Sequence, residues 1–123
     1  MILVDTSVWV DHLRADNERL TSLLAAGEVL GHPFVTGELA LGNLRRREAV
    51  LNDLRDLPQA LLALDQEVLQ LIERNALFGR GIGYVDAHLL AAVSMTADSR
   101  LWTRDRRLQT VATELGLAAM LPH

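Results

Sequence analysis

The sequence predicts an α/β fold, a small parallel sheet of about five strands covered on both sides by helices. Three observations carry this reading. Short apolar runs of strand length alternate with longer stretches of helical periodicity, the pattern of parallel strands joined by crossover helices. The first run, Ile2-Leu3-Val4, is continuously apolar rather than alternating, as a strand buried on both faces must be, and it ends abruptly at Asp5. Half of the 123 residues are hydrophobic and only 4% are aromatic. That is enough for one aliphatic core, so residues 1–123 are expected to form a single domain.

The elements follow in order. After the strand, Ser7 to Arg14 reads as a helix with Thr6 or Ser7 as its N-cap. Ala15-Asp16-Asn17 breaks it, and Glu18 to Ala26 forms a second helix that carries Leu20, Leu23 and Leu24 on one face and stops at Gly27. Val29-Leu30 is a short strand. Pro33 suits the first turn of a third helix running to about Leu44. Arg45-Arg46-Arg47 opens or joins a helix with Ala49, Val50, Leu54 and Leu57, which Pro58 ends. Ala60 to Leu64 is a strand candidate, and Asp65 to Leu77 a strongly amphipathic helix. Gly79 to Gly83 is a glycine-rich loop, and Tyr84 to Met95 an Ala- and Leu-rich helix. Arg100 to Thr103 is a strand, Asp105 to Leu115 a helix stopped by Gly116, and Leu117 to Leu121 a terminal strand.

Composition excludes several function classes. With no cysteine, disulfides, thiolate catalysis and thiolate zinc sites are absent. All 12 basic residues are arginine, so no mechanism can use a catalytic lysine. The net charge of −4 does not suit a general nucleic-acid binder, although guanidinium forks grip phosphate well. No apolar run is long enough to span a membrane, and no secretion signal opens the chain, so a cytoplasmic protein is expected.

Four carboxylates occupy apolar segments or element ends. Asp5 follows the first strand. Glu38 is the one charge in Phe34-Val35-Thr36-Gly37-Glu38-Leu39-Ala40-Leu41, Asp86 lies in the first turn of a hydrophobic helix, and Asp105 follows the strand Leu101-Trp102-Thr103. Taken singly, Asp5 or Asp105 reads equally well as a helix cap and Asp86 as a complement to a helix dipole. Taken together they point to one pocket, because ligands of parallel sheets bind beyond the carboxyl ends of the strands. Two such charges about 4 Å apart repel by roughly 4 kcal/mol at an effective dielectric near 20. A cluster must therefore take up protons or bind a cation, and oxygen donors suit Mg²⁺ or Mn²⁺.

Ile2-Leu3-Val4-Asp5-Thr6-Ser7-Val8-Trp9, Gly37-Glu38-Leu39, the segment from Gly81 to Ala91 around Asp86, and Leu101-Trp102-Thr103-Arg104-Asp105 together resemble the PIN-domain family, more narrowly its VapC-type toxin ribonucleases. The resemblance covers essentially the whole chain. It implies a three-layer α/β/α sandwich and a Mg²⁺- or Mn²⁺-dependent endoribonuclease of a toxin–antitoxin system, cutting structured RNA such as tRNA or rRNA. It further implies catalytic and metal-contacting roles for Asp5, Glu38, Asp86 and Asp105, a homodimer, and a VapB-like antitoxin partner. Ser7 and Thr103 match hydroxylic positions of the family and are expected to hold carboxylates or waters.

Arg45, Arg46, Arg47, Arg80 and Arg104 are the candidates for RNA contact, each weighed against an ordinary solvated surface. The glycine loop follows a helix rather than a strand, which argues against a nucleotide-binding turn. His12, His32, His88 and His123 lack ligand spacing and read as structural or exposed, and Trp9 and Trp102 as core. The apolar faces around Val68 to Ile72 and Leu39 to Leu44 suit either a dimer contact or cover for the sheet. A receiver domain is disfavoured by the missing lysine. A degenerate PIN module that binds without cutting, and a PIN nuclease outside any toxin–antitoxin pair, remain the alternatives.

Overall fold

The structure is a computed structural model and describes residues 1–121. Its centre is a parallel sheet of three strands, β1 (Ile2–Val4), β2 (Val29–Leu30) and β3 (Arg100–Trp102), in the order β2-β1-β3. Seven helices surround it: α1 (Thr6–Arg14), α2 (Glu18–Ala25), α3 (Pro33–Ala40), α4 (Arg47–Asp56), α5 (Asp65–Arg74), α6 (Tyr84–Met95) and α7 (Arg106–Glu114). The central strand explains its own sequence. Leu3 and Val4 are wholly buried, so no position of β1 needs to be polar.

Two of the five expected strands are reduced to single bridges, Gly31 with Gln59 and Leu101 with Ala118. Ala60 to Leu64 forms no strand. After Ala60 N–H bonds the Gly31 carbonyl at 2.9 Å, the next backbone N–H, of Leu61, bonds the Thr96 hydroxyl at 2.9 Å instead. Leu61, Leu62 and Leu64 consequently stay more than half exposed. The parallel bridge at Gly31 also needs close approach, since a Cβ there would meet Gln59 Nε2 at 2.5 Å.

Helix boundaries shift for identifiable reasons. α3 ends at Ala40, four residues before the expected Leu44, because the Arg47 guanidinium takes its free carbonyl ends, donating to Ala40 O at 2.6 Å and Gly42 O at 3.2 Å. α5 ends at Arg74 and not at Leu77. α6 is the central helix. Every residue from Ala87 to Val93 is buried, which is why its sequence is apolar all round rather than amphipathic. It packs on β3, and α5 lies against it. Val68, fully buried, and the partly buried Leu71 and Ile72 form the α5 side of that contact, while Leu69 is 55% exposed and faces away. Each fully buried Leu of the core contributes roughly 2 kcal/mol, and Leu3, Leu20, Leu89, Leu90, Leu101 and Leu108 are all in this class. Trp9 and Trp102 are core residues as expected.

His32 and His88 are buried more deeply than the sequence suggested. They sit in one aromatic group with Phe34 and Tyr84, with ring centroids 4.7–5.2 Å apart along the path His32–Phe34–His88–Tyr84. His32 occupies the N-cap position of α3, its Nδ1 accepting from Phe34 N–H at 3.0 Å. Its Nε2 has no partner among the described residues. His12 caps a turn instead, accepting from Asn17 N–H, and His123 lies outside the described residues.

Burial, with the nearby His88 adding to it, lowers the His32 pKa to about 4 from its ordinary 6.5. The unfolded chain therefore binds a proton at His32 before the folded one does. Stability contributed by this residue is complete above pH 6.5, falls as the pH drops towards 4, and levels off below it. Between pH 6.5 and pH 5 the loss amounts to about 2 kcal/mol. His32→Asn keeps an acceptor for Phe34 N–H but removes the titration. Urea denaturation should show a shallower acid slope for this variant across that window, and an unchanged slope would refute the assignment.

Candidate active site

The strand register builds the site. β1 and β3 pair with Val4 opposite Trp102, and Asp5 N–H closes the ladder by donating to Trp102 O at 2.9 Å. Asp5 and Thr103 thus emerge side by side at the carboxyl edge of the sheet. β2 and β3 flank β1 on opposite sides, so the chain departs from this edge in two directions, the crevice where parallel sheets bind ligands.

Asp5 occupies the N-cap position of α1 but makes no capping hydrogen bond. Its Oδ2 instead accepts from the Ser7 hydroxyl at 2.7 Å and the Thr103 hydroxyl at 2.8 Å. The carboxylate is 6% exposed, and its Oδ1 accepts no hydrogen bond among the described residues. Ser7 and Thr103 both bond this carboxylate oxygen. Each also braces the turn into α7. Ser7 Oγ accepts from Arg104 N–H at 3.0 Å, and Thr103 Oγ1 accepts from Asp105 N–H at 3.0 Å.

Asp105 does cap its helix: its Oδ1 accepts from Leu108 N–H at 3.0 Å. Asp86 stands in the first turn of α6, where Oδ2 accepts from Gly83 N–H at 2.9 Å. Glu38, near the end of α3, is exposed, and its Oε1 accepts from the Thr6 hydroxyl at 2.6 Å. Thr6 was not singled out by sequence as a site residue. It lies 32 positions from Glu38, and nothing local to the chain signals the pairing.

The charges of the other three acids all act on Asp86. Burial pushes its carboxyl pKa up. The Gly83 N–H opposes that shift, and the charges of Asp5, Asp105 and Glu38 add to it. The same cluster is chemically fit for a hard divalent cation, which takes oxygen donors. Among the described residues no three acidic or imidazole side chains stand ready as a closed ligand set.

The basic candidates divide. Arg80 pairs with Glu114 at 2.7 Å, Arg104 with Asp11 at 3.1 Å, and Arg47 is turned onto the end of α3. Arg46 is exposed in a left-handed conformation at φ 55, at the N-cap of α4. Arg45 lines a cleft that also includes Glu38 and Arg14, a residue that sequence gave no reason to select. In the glycine loop, Gly81 has φ +81, and the Arg107 side chain lies where a Cβ would stand, with the nearest atoms at 2.8 Å. The glycine at this position lets the Arg107 side chain of α7 lie against the loop.

Residues 2–114 match the PIN domain family. The chain is 50% identical over 118 residues to proteins named Ribonuclease VapC32 in two strains of Mycobacterium tuberculosis, CDC 1551 / Oshkosh and ATCC 25618 / H37Rv. The aligned region covers 96% of this chain and 95% of each relative.

Thr103→Val, which removes the hydroxyl between Asp5 and Asp105 N–H with little change of volume, should lower stability by about 2 kcal/mol in chemical denaturation, and Thr103→Ser should restore most of it. Asp86→Asn keeps an acceptor for Gly83 N–H and removes the charge. Because folding raises the Asp86 pKa, its ionised form opposes folding above that pKa and has no such effect below the ordinary carboxylate range. In metal-free protein the variant should melt higher than the parent at pH 7, with the difference disappearing under acid conditions. A lower melting point at pH 7 would contradict the shared pocket.

Proposed function

The chain belongs to the PIN-domain family, and on that premise we propose that it is a Mg²⁺- or Mn²⁺-dependent endoribonuclease, the toxin of a VapBC-type toxin–antitoxin pair, hydrolysing phosphodiester bonds in structured RNA such as tRNA or rRNA. The observation that carries the proposal is the Asp5 carboxylate. It sits at a helix N-cap yet does not cap, two hydroxyls hold it from one side, and its charge, with those of Asp105 and Glu38, acts on Asp86. A merely structural aspartate at that position would bond the free N–H groups of α1.

Asp5, Asp86 and Asp105, with Glu38, are the residues proposed to hold the ion, directly or through water. When bound, the divalent ion neutralises the acids, makes a water more acidic and balances charge on the leaving oxygen. The protein's own part is positioning. Ser7 and Thr103 occupy Asp5 Oδ2 and leave Oδ1 for the site. Thr6 anchors Glu38 through Oε1, leaving Oε2 either to contact the ion or to orient and accept a proton from the attacking water. The Gly83 N–H fixes the Asp86 carboxylate against the end of the buried helix α6. The proposed partners are RNA, a VapB-like antitoxin and a second copy of the chain. The exposure of Leu61, Leu62, Leu64 and Leu69, each 53–60%, supports a protein-covered face near the start of α5. No helix among the described residues is long and apolar enough to cross a membrane, which is compatible with work on cytoplasmic RNA.

Purified protein should cut RNA with Mg²⁺ or Mn²⁺, stop on chelation and recover when the metal is returned. Asp5→Asn should lose this activity while keeping its fold, and Mg²⁺ should raise the melting temperature of the parent more than that of the variant. Equal cleavage by the two proteins would sink the assigned site. A protein that binds RNA but never cuts it would favour the degenerate module.

A further inference from the structure

We propose that the cleft between the end of α1 and the α3–α4 turn is the subsite for an unpaired nucleotide adjoining the scissile phosphate, with Arg14 and Arg45 holding its phosphates and Asn43 reading its base. The inference rests on the ribonuclease reading above and extends it to residues that neither the sequence motifs nor the family resemblance assign as a set.

The cleft has a volume of about 580 Å³ and shares Glu38 with the acidic cluster. That size lies within the ~300–1,000 Å³ typical of small-ligand sites. Leu13 and Leu39 contribute apolar wall, a surface that suits the face of a base, and Asn43 offers both donor and acceptor at the rim. Two arginines line it. The chain carries a net charge of −4, so a polyanion is repelled from most of its surface and needs a local positive entry. Arg47, Arg80 and Arg104 have intramolecular partners, the Ala40 and Gly42 carbonyls, Glu114 and Asp11 respectively, and Arg46, Arg106 and Arg107 do not line the cleft. Arg14 and Arg45 bond to none of the described residues, and both are exposed on the same cleft.

The turn that presents Arg45 is itself held. Arg47 clamps it from behind through Gly42 O, and Arg46 adopts the left-handed conformation that starts α4. The three consecutive arginines therefore have three different duties, and only Arg45 points to this ligand. Charge complementarity with phosphate and continuity with Glu38 favour RNA over an apolar peptide as the occupant. Unpaired RNA is read by hydrogen bonds to exposed base edges, which is the contact that the Asn43 amide offers.

The test uses full-length Asp5→Asn protein with Mg²⁺, so that RNA is bound without being cut, and measures fluorescence anisotropy of short labelled single-stranded RNAs. Adding Arg14→Ala or Arg45→Ala should weaken binding about tenfold each, the order of one charge-assisted contact. Each should also make the dependence of log affinity on log salt shallower by about 0.7. Arg55→Ala, about 12 Å farther along α4 than Arg47, should change neither. Asn43→Ala should keep the salt slope but reduce discrimination among the four homopolymeric RNAs. Arg14→Gln and Arg45→Gln repeat the arm if either alanine variant misfolds. Unchanged affinity and slope in the Arg14 and Arg45 variants, while the parent still cuts RNA, would overturn the subsite alone and leave the cleft to a protein partner. Equal Arg dependence for double-stranded RNA would overturn the unpaired nucleotide. A parent that neither binds nor cuts RNA would overturn the ribonuclease reading and the subsite with it.

Discussion

The parallel pairing of β1 with β3 is the constraint on which the site depends. Asp5 N–H bonds the Trp102 carbonyl at 2.9 Å, and the register places Asp5 beside Thr103. One residue's slip would turn every side chain of β1 to the opposite face, burying a carboxylate without partners. The wholly buried Leu3, Val4 and Leu101 hold the register, since each would lose its packing if the strand shifted. The geometry of the acids is thus enforced by aliphatic packing on the other side of the sheet edge.

Around that edge, polar contacts form a short chain with few loose ends. Ser7 and Thr103 hydroxyls converge on Asp5 Oδ2 and accept in turn from the backbone of Arg104 and Asp105. These bonds tie the start of α1 to the start of α7, two helices that leave the sheet from neighbouring strands. Thr6 adds α3 through Glu38, and Gly83 N–H adds α6 through Asp86. Like charges brought together in this way oppose folding, and the raised pKa of Asp86, due first to burial and then to its acidic neighbours, is the visible consequence. A bound cation would relieve this repulsion, which is the physical basis of the ribonuclease proposal.

The buried histidines belong to a separate region. His32 and His88 pack edge-to-face with Phe34 and Tyr84, and the burial of His32 makes that part of the core sensitive to acid. His88 Nε2 lies 3.3 Å from Asp65 Oδ1 without hydrogen-bond geometry. Burial, not metal ligation, accounts for both residues.

The sequence by itself determined the existence of the helices and of the three paired strands, and where the four acids stand along them. The apolar run of β1, the all-apolar α6 and the capping position of Asp105 are consequences of local periodicity and side-chain chemistry, and they were legible one segment at a time. Only the tertiary structure decided what each residue does. Asp5 and Asp105 look alike as residues following strands, yet one caps its helix and the other does not, because hydroxyls 2 and 98 positions away from Asp5 claim its oxygen. Ala60 to Leu64 has strand composition but no strand, since a strand exists only where a neighbour offers unpaired backbone. Arg45, Arg46 and Arg47 are identical in chemistry and were separated by backbone conformation and by the carbonyls within reach. Local pattern fixes which groups are present; contacts between distant segments fix which of their atoms remain free to act.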